Sequence, residues 1–498
     1  MPTAFSLRHA GCYSIYVLFL LLFAYLLNQL DRYTLPIVTK PMAQELHYGD
    51  KVCMQNSSAG SDLQCTNKTV ESEQQCVKLT NINGTHVCEW NYNGQGIEYQ
   101  VIAGPIFIVI YTFMGIFLGI AADHLNRKNL LAGCLVFWSI MTLVTGFSSE
   151  FWHLAVLRFG LGIGEAGCTP FATSIIADYF PPELRGAALG VYNWGIYTGY
   201  SMSFALGNLI IDANILGQGW RWVFFISGIP GIILGAVIFF TLKEPERTGQ
   251  KQNETKYVDV PLSWKEKIAF IVKPFIRPSL LLLCLAGSIR NAGGYVWAYN
   301  TQPYFESIHQ NRNQIAQFMS WIPLVGGSLG AVLGGFISDR VVTRRGPTAR
   351  IMVLVISQLV AAPFAAGALF LNPPWCYISL IPANIVGEMW VGVTLAVVIE
   401  LVPWSVRTGA IAFYLFIISN IGGNVPLLVP PIQKAFQNLG YTYTPALRGA
   451  LYILYPGLYV LSALLFLVTL CVIKRDIRKA QEEGKDYVPV VEETEGET

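Results

Sequence analysis

Ionisable residues stand inside long apolar stretches of this sequence. Asp31 and Arg32 follow Leu26-Leu27-Asn28-Gln29-Leu30, and Arg158 and Glu165 share the segment Arg158-Phe-Gly-Leu-Gly162-Ile-Gly164-Glu165-Ala166. Arg290 and Glu388 stand in two further apolar stretches. A charged side chain at the centre of a bilayer costs roughly 2.5–3.5 kcal/mol or more, so such residues call for a function or a partner. A carboxylate beside a guanidinium stays ionised, and desolvation opposes this, so a carboxylate–arginine pair can take up or release a proton when its surroundings change. A guanidinium also grips carboxylate or phosphate with two parallel hydrogen bonds. These rules make Asp31 with Arg158 a candidate proton-coupling pair and Glu165 a third member. Structural salt bridging between helices would satisfy the same charges and stays open as the alternative.

The elements that must hold these charges follow from composition. The chain has 498 residues, 53% hydrophobic and 13% charged, with a mean hydropathy of +0.46. Soluble domains carry charge on about a quarter of their residues. Lipid is therefore the solvent for much of this surface. The net charge of +2 gives no reason to expect a nucleic-acid partner. A spanning helix needs about 20 apolar residues. Spans are expected near 12–38, 99–122, 129–147, 151–178, 187–211, 222–242, 278–301, 317–337, 350–370, 376–402, 408–432 and 449–473. The expected fold is an all-α membrane protein of twelve helices in two six-helix halves. The first half would run over 1–242, a linker over 243–277, the second half over 278–473 and a tail over 474–498.

Lys and Arg resist translocation in short loops. Arg127 and Lys128, Arg340 to Arg350, and Lys474 to Lys479 then mark one side, which places both termini in the cytosol. The long loop 41–98 falls on the opposite side. It holds Cys53, Cys65, Cys76 and Cys88 beside sequons at Asn56, Asn67 and Asn83. Two disulfides in an oxidising compartment are expected, in any of three pairings. A zinc site is the competing reading, although the spacing is not C-x-x-C. A further sequon at Asn253 lies in the linker and is expected to stay unmodified.

The two halves repeat in sequence. Gly119-Ile-Ala-Ala-Asp123 ends span two and Gly335-Phe-Ile-Ser-Asp339 ends span eight. Asp178, Pro181 and Arg185 close span four at the offsets of Glu400, Pro403 and Arg407 at span ten, and Gly164-Glu165 matches Gly387-Glu388. The glycines are expected to admit a neighbouring backbone closely. Arg127 and Arg345, or Arg185 and Arg407, are expected to pair with the acids as a cytosolic gate. Retention of the loops by their positive charge is the plainer reading.

Gly119-x-x-x-Asp123-His-Leu-Asn126-Arg127-Lys128 resembles the signature loop of the major facilitator superfamily. The segment Arg158 to Ala166 resembles its fourth-helix motif, and Trp220-Arg-Trp-Val-Phe-Phe-Ile-Ser-Gly-Ile-Pro230-Gly its sixth-helix entry. Within that superfamily, Asp31-Arg32, Asn126-Arg127-Lys128 and Gly162-x-Gly164-Glu165-Ala166 resemble the Spinster family of lysolipid and sphingolipid transporters. The resemblance implies a central cavity lined by spans one, four, seven and ten, and a secondary transporter working by alternating access. Arg32, Arg158, Glu165, Arg290 and Glu388 are then substrate contacts, joined by Tyr192, Asn193, Asn420 and Asn424 on spans five and eleven. Membrane helices also use such polar groups for packing. The expected cargo is an organic anion or zwitterionic lipid such as a lysophospholipid, with protons as coupling ion. The protein would work as a monomer among membrane lipids, in the plasma membrane rather than the lysosomal membrane. An organic-ion facilitator without proton coupling and a ligand sensor of the same fold are the alternatives. No cofactor or metal is expected, and no Walker loop, zinc-helix motif or nucleophile elbow points to an enzyme.

Overall fold

The computed structural model describes residues 11–55, 65, 72–79, 87–245, 272–346, 348–402 and 407–486. The sequons at Asn56, Asn67, Asn83 and Asn253 lie outside them. The first helix, α1, runs from Cys12 to Leu46, past its expected end at 38 and through Pro36 and Pro41. It stops where His47 takes up the left-handed conformation, with φ 57°. A two-stranded hairpin follows, β1 (Lys51–Gln55) antiparallel to β2 (Cys88–Tyr92), with Cys53 opposite Trp90 and Gln55 opposite Cys88. The short helix α2 (Glu73–Val77) lies between them. Disulfides join Cys53 to Cys76 and Cys65 to Cys88, which settles the pairing that spacing left open.

The first half continues with α3 (Ile97–Ala103), α4 (Pro105–His124), α5 (Arg127–Thr145), α6 (Phe151–Glu165), α7 (Cys168–Tyr179), α8 (Pro182–Ala213) and α9 (Gly219–Thr241). The second half comprises α10 (Pro278–Ser307), α11 (Arg312–Met319), α12 (Ile322–Arg345), α13 (Ala349–Phe370), α14 (Trp375–Gly387), α15 (Trp390–Leu401), α16 (Arg407–Asn424), α17 (Val429–Asn438), α18 (Tyr443–Leu454) and α19 (Pro456–Asp486). Among the described residues, ten helical stretches are long and apolar enough to cross a membrane. Two more crossings are the broken pair α6–α7 and the 32-residue α8. The twelve crossings put the hairpin on one face, here called the loop face, and the connection between halves on the other, the linker face.

The sequence repeat is also a packing repeat. In the first half α1 packs on α8, α4 on α6 and α5 on α9; in the second, α10 packs on α16, α12 on α14 and α13 on α19. Lipid offers no hydrophobic drive between helices, so small residues set how closely they approach. A Cβ on Gly228 would fall 2.8 Å from the Ser139 carbonyl oxygen of α5, and one on Gly334 would fall 2.5 Å from the Met389 carbonyl. The expectation for Gly119 and Gly335 is corrected: a Cβ on either meets nothing within 4 Å. These two glycines stand at the linker-face ends of α4 and α12, where no neighbour closes on them in this conformation.

Span four and span ten both break at the Gly-Glu dipeptides. α6 ends at Glu165 and α14 at Gly387, and each helix resumes within three residues. Glycine costs a helix about 1 kcal/mol relative to alanine, so Gly164 and Gly167 weaken the helix where it breaks. A break frees backbone carbonyls that an unbroken helix would use.

Candidate functional site

In the first half the break sets Glu165 against Arg32. Arg32 Nη2 and Nε donate to Glu165 Oε2 at 3.0 and 3.3 Å. Both side chains are buried, and the guanidinium also lies over the rings of Phe107 (4.9 Å) and Tyr111 (4.5 Å) of α4. Those rings are close because α4 rests on Gly162, where a Cβ would come 2.9 Å from the Phe107 carbonyl oxygen. Arg32 does not snorkel outward; it is held within the bundle.

Asp31 and Arg158 share these electrostatic surroundings but form no ion pair with each other, which corrects the expected pairing. Successive residues on a helix point about 100° apart. With Arg32 aimed at α4 and α6, Asp31 faces the hydroxyls of Thr142 on α5 and Ser227 on α9. Asp31 is 2% exposed and neither carboxylate oxygen has a hydrogen-bond partner. Arg158 is 6% exposed and its Nη2 is unpartnered, with Tyr48, Tyr99 and Tyr299 among the groups around it. The four charges sum to zero, yet only two of them are joined.

In the second half Arg290 makes three hydrogen bonds. Its Nε donates to Gln358 Oε1 at 2.5 Å, and its Nη2 to the Gly387 carbonyl at 2.7 Å and to Glu388 Oε1 at 3.1 Å. The Gly387 carbonyl is available because α14 ends there. The guanidinium stacks 4.0 Å from the Tyr459 ring. Glu388 keeps a quarter of its surface exposed, and Tyr197 of the first half approaches it. Gln358 and Tyr459 went unremarked in the sequence, as did Phe107 and Tyr111. None is unusual in type for a membrane helix, and only packing brings them to an arginine.

The remaining candidates separate. Tyr192 is fully buried and stacks on Tyr25 with centroids 4.5 Å apart, so it is removed from the cleft by its packing on α1. Asn193 is exposed and lies one turn from Tyr197 on the same side of α8. Asn420 accepts a hydrogen bond from Thr112 of α4 at 2.9 Å, and Asn424 donates to the Asn420 carbonyl at 2.5 Å. Asn420 thus joins the halves at α4 and α16, whereas Asn424 bonds within α16.

At the linker face the charges bind within each half. Arg127 donates to Asp178 at 2.5 Å, Glu244 at 2.7 Å and Ser174 at 2.8 Å. Arg350 donates to Asp339 at 2.8 Å, Glu400 at 2.9 Å and Ser338 at 2.8 Å. Arg345 is exposed, and among the described residues the partner of Asp339 is Arg350 instead. Position explains this: Arg345 ends α12, whereas Arg350 opens α13 just as Arg127 opens α5. That shared placement was a signal available in the sequence. Arg185 donates to the Ala177 carbonyl at 2.5 Å. The side chains of Asp123 and Arg407 lie outside the described part. None of these contacts bridges the halves; in this conformation they tie each half internally.

Contacts between halves gather toward the loop face, on α1, α3 and α8 against α10, and α8 against α12. At the linker-face ends of α4 and α12, a Cβ on Gly119 or Gly335 meets nothing within 4 Å.

The sequence matches the family model described as Major Facilitator Superfamily over residues 21–425. It is 26% identical to an MFS-type efflux pump of Mycolicibacterium smegmatis, over 76% of this chain and 85% of that protein. It is also 26% identical to human protein spinster homolog 1, over 76% of this chain and 74% of that one. In structure it resembles a bacterial homolog of the human lysosomal transporter Spinster in an inward-facing, occupied conformation, with a TM-score of 0.69 at 23% identity, covering 95% of this chain and 99% of that one. Two six-helix halves with matching breaks and a family match across most of the sequence agree: the chain belongs to the major facilitator superfamily, is similar to Spinster proteins, and is a multi-pass membrane transporter rather than an enzyme.

Proposed function

We propose that this protein is a proton-coupled secondary transporter that moves an organic anion or zwitterionic lipid, a lysophospholipid for example, by alternating access. One observation carries the reading: the buried Arg32–Glu165 pair stands beside an unpartnered carboxylate, Asp31, and an incompletely bonded guanidinium, Arg158. A proton on Glu165 would neutralise the acid and release Arg32 for an anionic headgroup. The proton goes to the carboxylate, since arginine stays charged at these pH values. Asp31 is the neighbouring proton acceptor, and Arg158 is the second guanidinium able to meet a phosphate or carboxylate. The resemblance of Asp31-Arg32 and of Gly162 to Ala166 to the Spinster family of lysolipid and sphingolipid transporters suggests a lysolipid as cargo. The linker face is read as cytosolic, from the Arg and Lys clusters there, and the plasma membrane as the site of action.

The test is uptake into proteoliposomes under an imposed pH gradient. Glu165→Gln is expected to abolish the pH dependence of uptake while substrate still binds. Asp31→Asn is expected to lower the pH response. An unchanged pH profile in both variants would overturn proton coupling and favour an uncoupled facilitator.

A further inference from the structure

The loop-face seal has a cause in the sequence of α10. Pro303 stands inside this helix. Proline has no backbone N–H, so the carbonyl four residues earlier, that of Tyr299, loses its helical donor. The Tyr99 hydroxyl of α3 in the first half donates to that carbonyl at 2.5 Å. The adjacent Asn300 Oδ1 accepts from Gln100 Nε2 at 2.9 Å. On the other side of the same turn, Gln302 and Asn208 of α8 form a reciprocal amide pair. Asn208 Nδ2 donates to Gln302 Oε1 at 3.2 Å, and Gln302 Nε2 donates to Asn208 Oδ1 at 3.0 Å and to Glu306 Oε1 at 2.8 Å. Gln100, Asn208, Asn300 and Gln302 are each at most 1% exposed.

We infer that Pro303 sets the stability of the loop-face seal, by freeing the Tyr299 carbonyl for the opposite half and so holding the α10 turn from Tyr299 to Pro303 against α3. The inference rests on the alternating-access reading and names residues that set its equilibrium. Opening the loop face must separate α3 and α8 from this turn. The bonds across it involve uncharged groups, so each holds weakly and can be exchanged for water when the halves part. Gln302→Glu would set a carboxylate against Glu306 and remove a donor from Asn208. Pro303→Ala would return an N–H to the Tyr299 carbonyl and compete with Tyr99.

The experiment is pulsed electron spin resonance on the full chain, with spin labels at Gln218→Cys and Asn311→Cys. These are exposed loop-face positions on opposite halves. The exposed cysteines Cys12 and Cys471 would be replaced by serine. The starting protein is expected to show mainly the short separation. Tyr99→Phe, which keeps the ring, is expected to raise the ratio of long to short separations about fivefold. Gln302→Glu should raise it further. Tyr99→Phe with Pro303→Ala should move it no more than the larger of the two single changes, because both act on one hydrogen bond. If the starting protein shifts with pH or added lysophospholipid while Tyr99→Phe and Gln302→Glu leave the ratio untouched, the seal assignment is wrong and alternating access stands. If no condition or variant changes the separation, both fail.

Discussion

The two halves hold the same pairing, an arginine of the first helix with a glutamate at the break of the fourth, in different states of completion. Arg290 donates to Gln358, the Gly387 carbonyl and Glu388, and is capped by Tyr459. Arg32 has Glu165 and two rings, and beside them Asp31 and Arg158 retain unbonded polar atoms. A buried network with every member bonded makes a rigid unit; one with members left over is held at a cost and can rearrange. One half thus keeps its charges as structure and the other keeps them available. Duplication supplied the geometry twice, and the surrounding residues assigned the roles.

The largest expected effect breaks this comparison at its firmest point. Arg290→Leu would leave Gln358, the Gly387 carbonyl and Glu388 without their donor. Removing one member of a buried pair costs about 3–5 kcal/mol. Melting in detergent should fall by many degrees, or the protein should fail to accumulate as a single species. Arg158→Leu removes a charge that is already underpaired, so its melting temperature should hold while uptake is lost. Equal destabilisation by both changes would end the distinction between the halves.

Much of this was legible in the sequence. Charges in apolar stretches marked Arg32, Arg158, Glu165, Arg290 and Glu388, and the repeat matched Gly164-Glu165 with Gly387-Glu388, although spans four and ten were both expected to be unbroken. Which carboxylate meets which arginine was not legible. Asp31 and Arg32 are neighbours in sequence, and helix rotation alone sends one to α5 and α9 and the other to α6. Tyr192 was mistaken for a cleft residue for the same reason, since its direction on α8 is set by packing against Tyr25. The linker-face ties were assigned to Arg345 by proximity in sequence, whereas the start of α13 places Arg350 there.

A middle-sized effect sharpens the comparison at the linker face. Arg127 and Arg350 play matching parts, each joined to two acids. Arg127 is the more buried, at 4% against 14% exposure. Screening by water weakens exposed ion pairs, whose contribution is typically below about 1 kcal/mol. Arg127→Gln should therefore lower the melting temperature more than Arg350→Gln, and Arg345→Gln should lower it least. A loss at Arg345 matching that at Arg350 would return the tie to the residue the sequence first suggested.

The smallest expected effect is on stability and is informative because it is small. Gly119 and Gly335 occupy equivalent places in the repeat, and a methyl group on either meets nothing within 4 Å in this conformation. Gly228 and Gly334 are in close contact with backbone on neighbouring helices. Alanine is also the better helix former by about 1 kcal/mol. Gly119→Ala and Gly335→Ala should then leave melting unchanged or raise it slightly, whereas Gly228→Ala and Gly334→Ala should lower it. If alternating access holds, the linker face must close at another stage, and the open ends of α4 and α12 are where the halves would meet. A methyl harmless with the cleft open would then obstruct its closing. Uptake should fall in Gly119→Ala and Gly335→Ala at undiminished stability, and the linker-face-open population should rise. Normal uptake in both would mean that these glycines approach nothing at any stage, leaving their recurrence in the two halves without a mechanical cause.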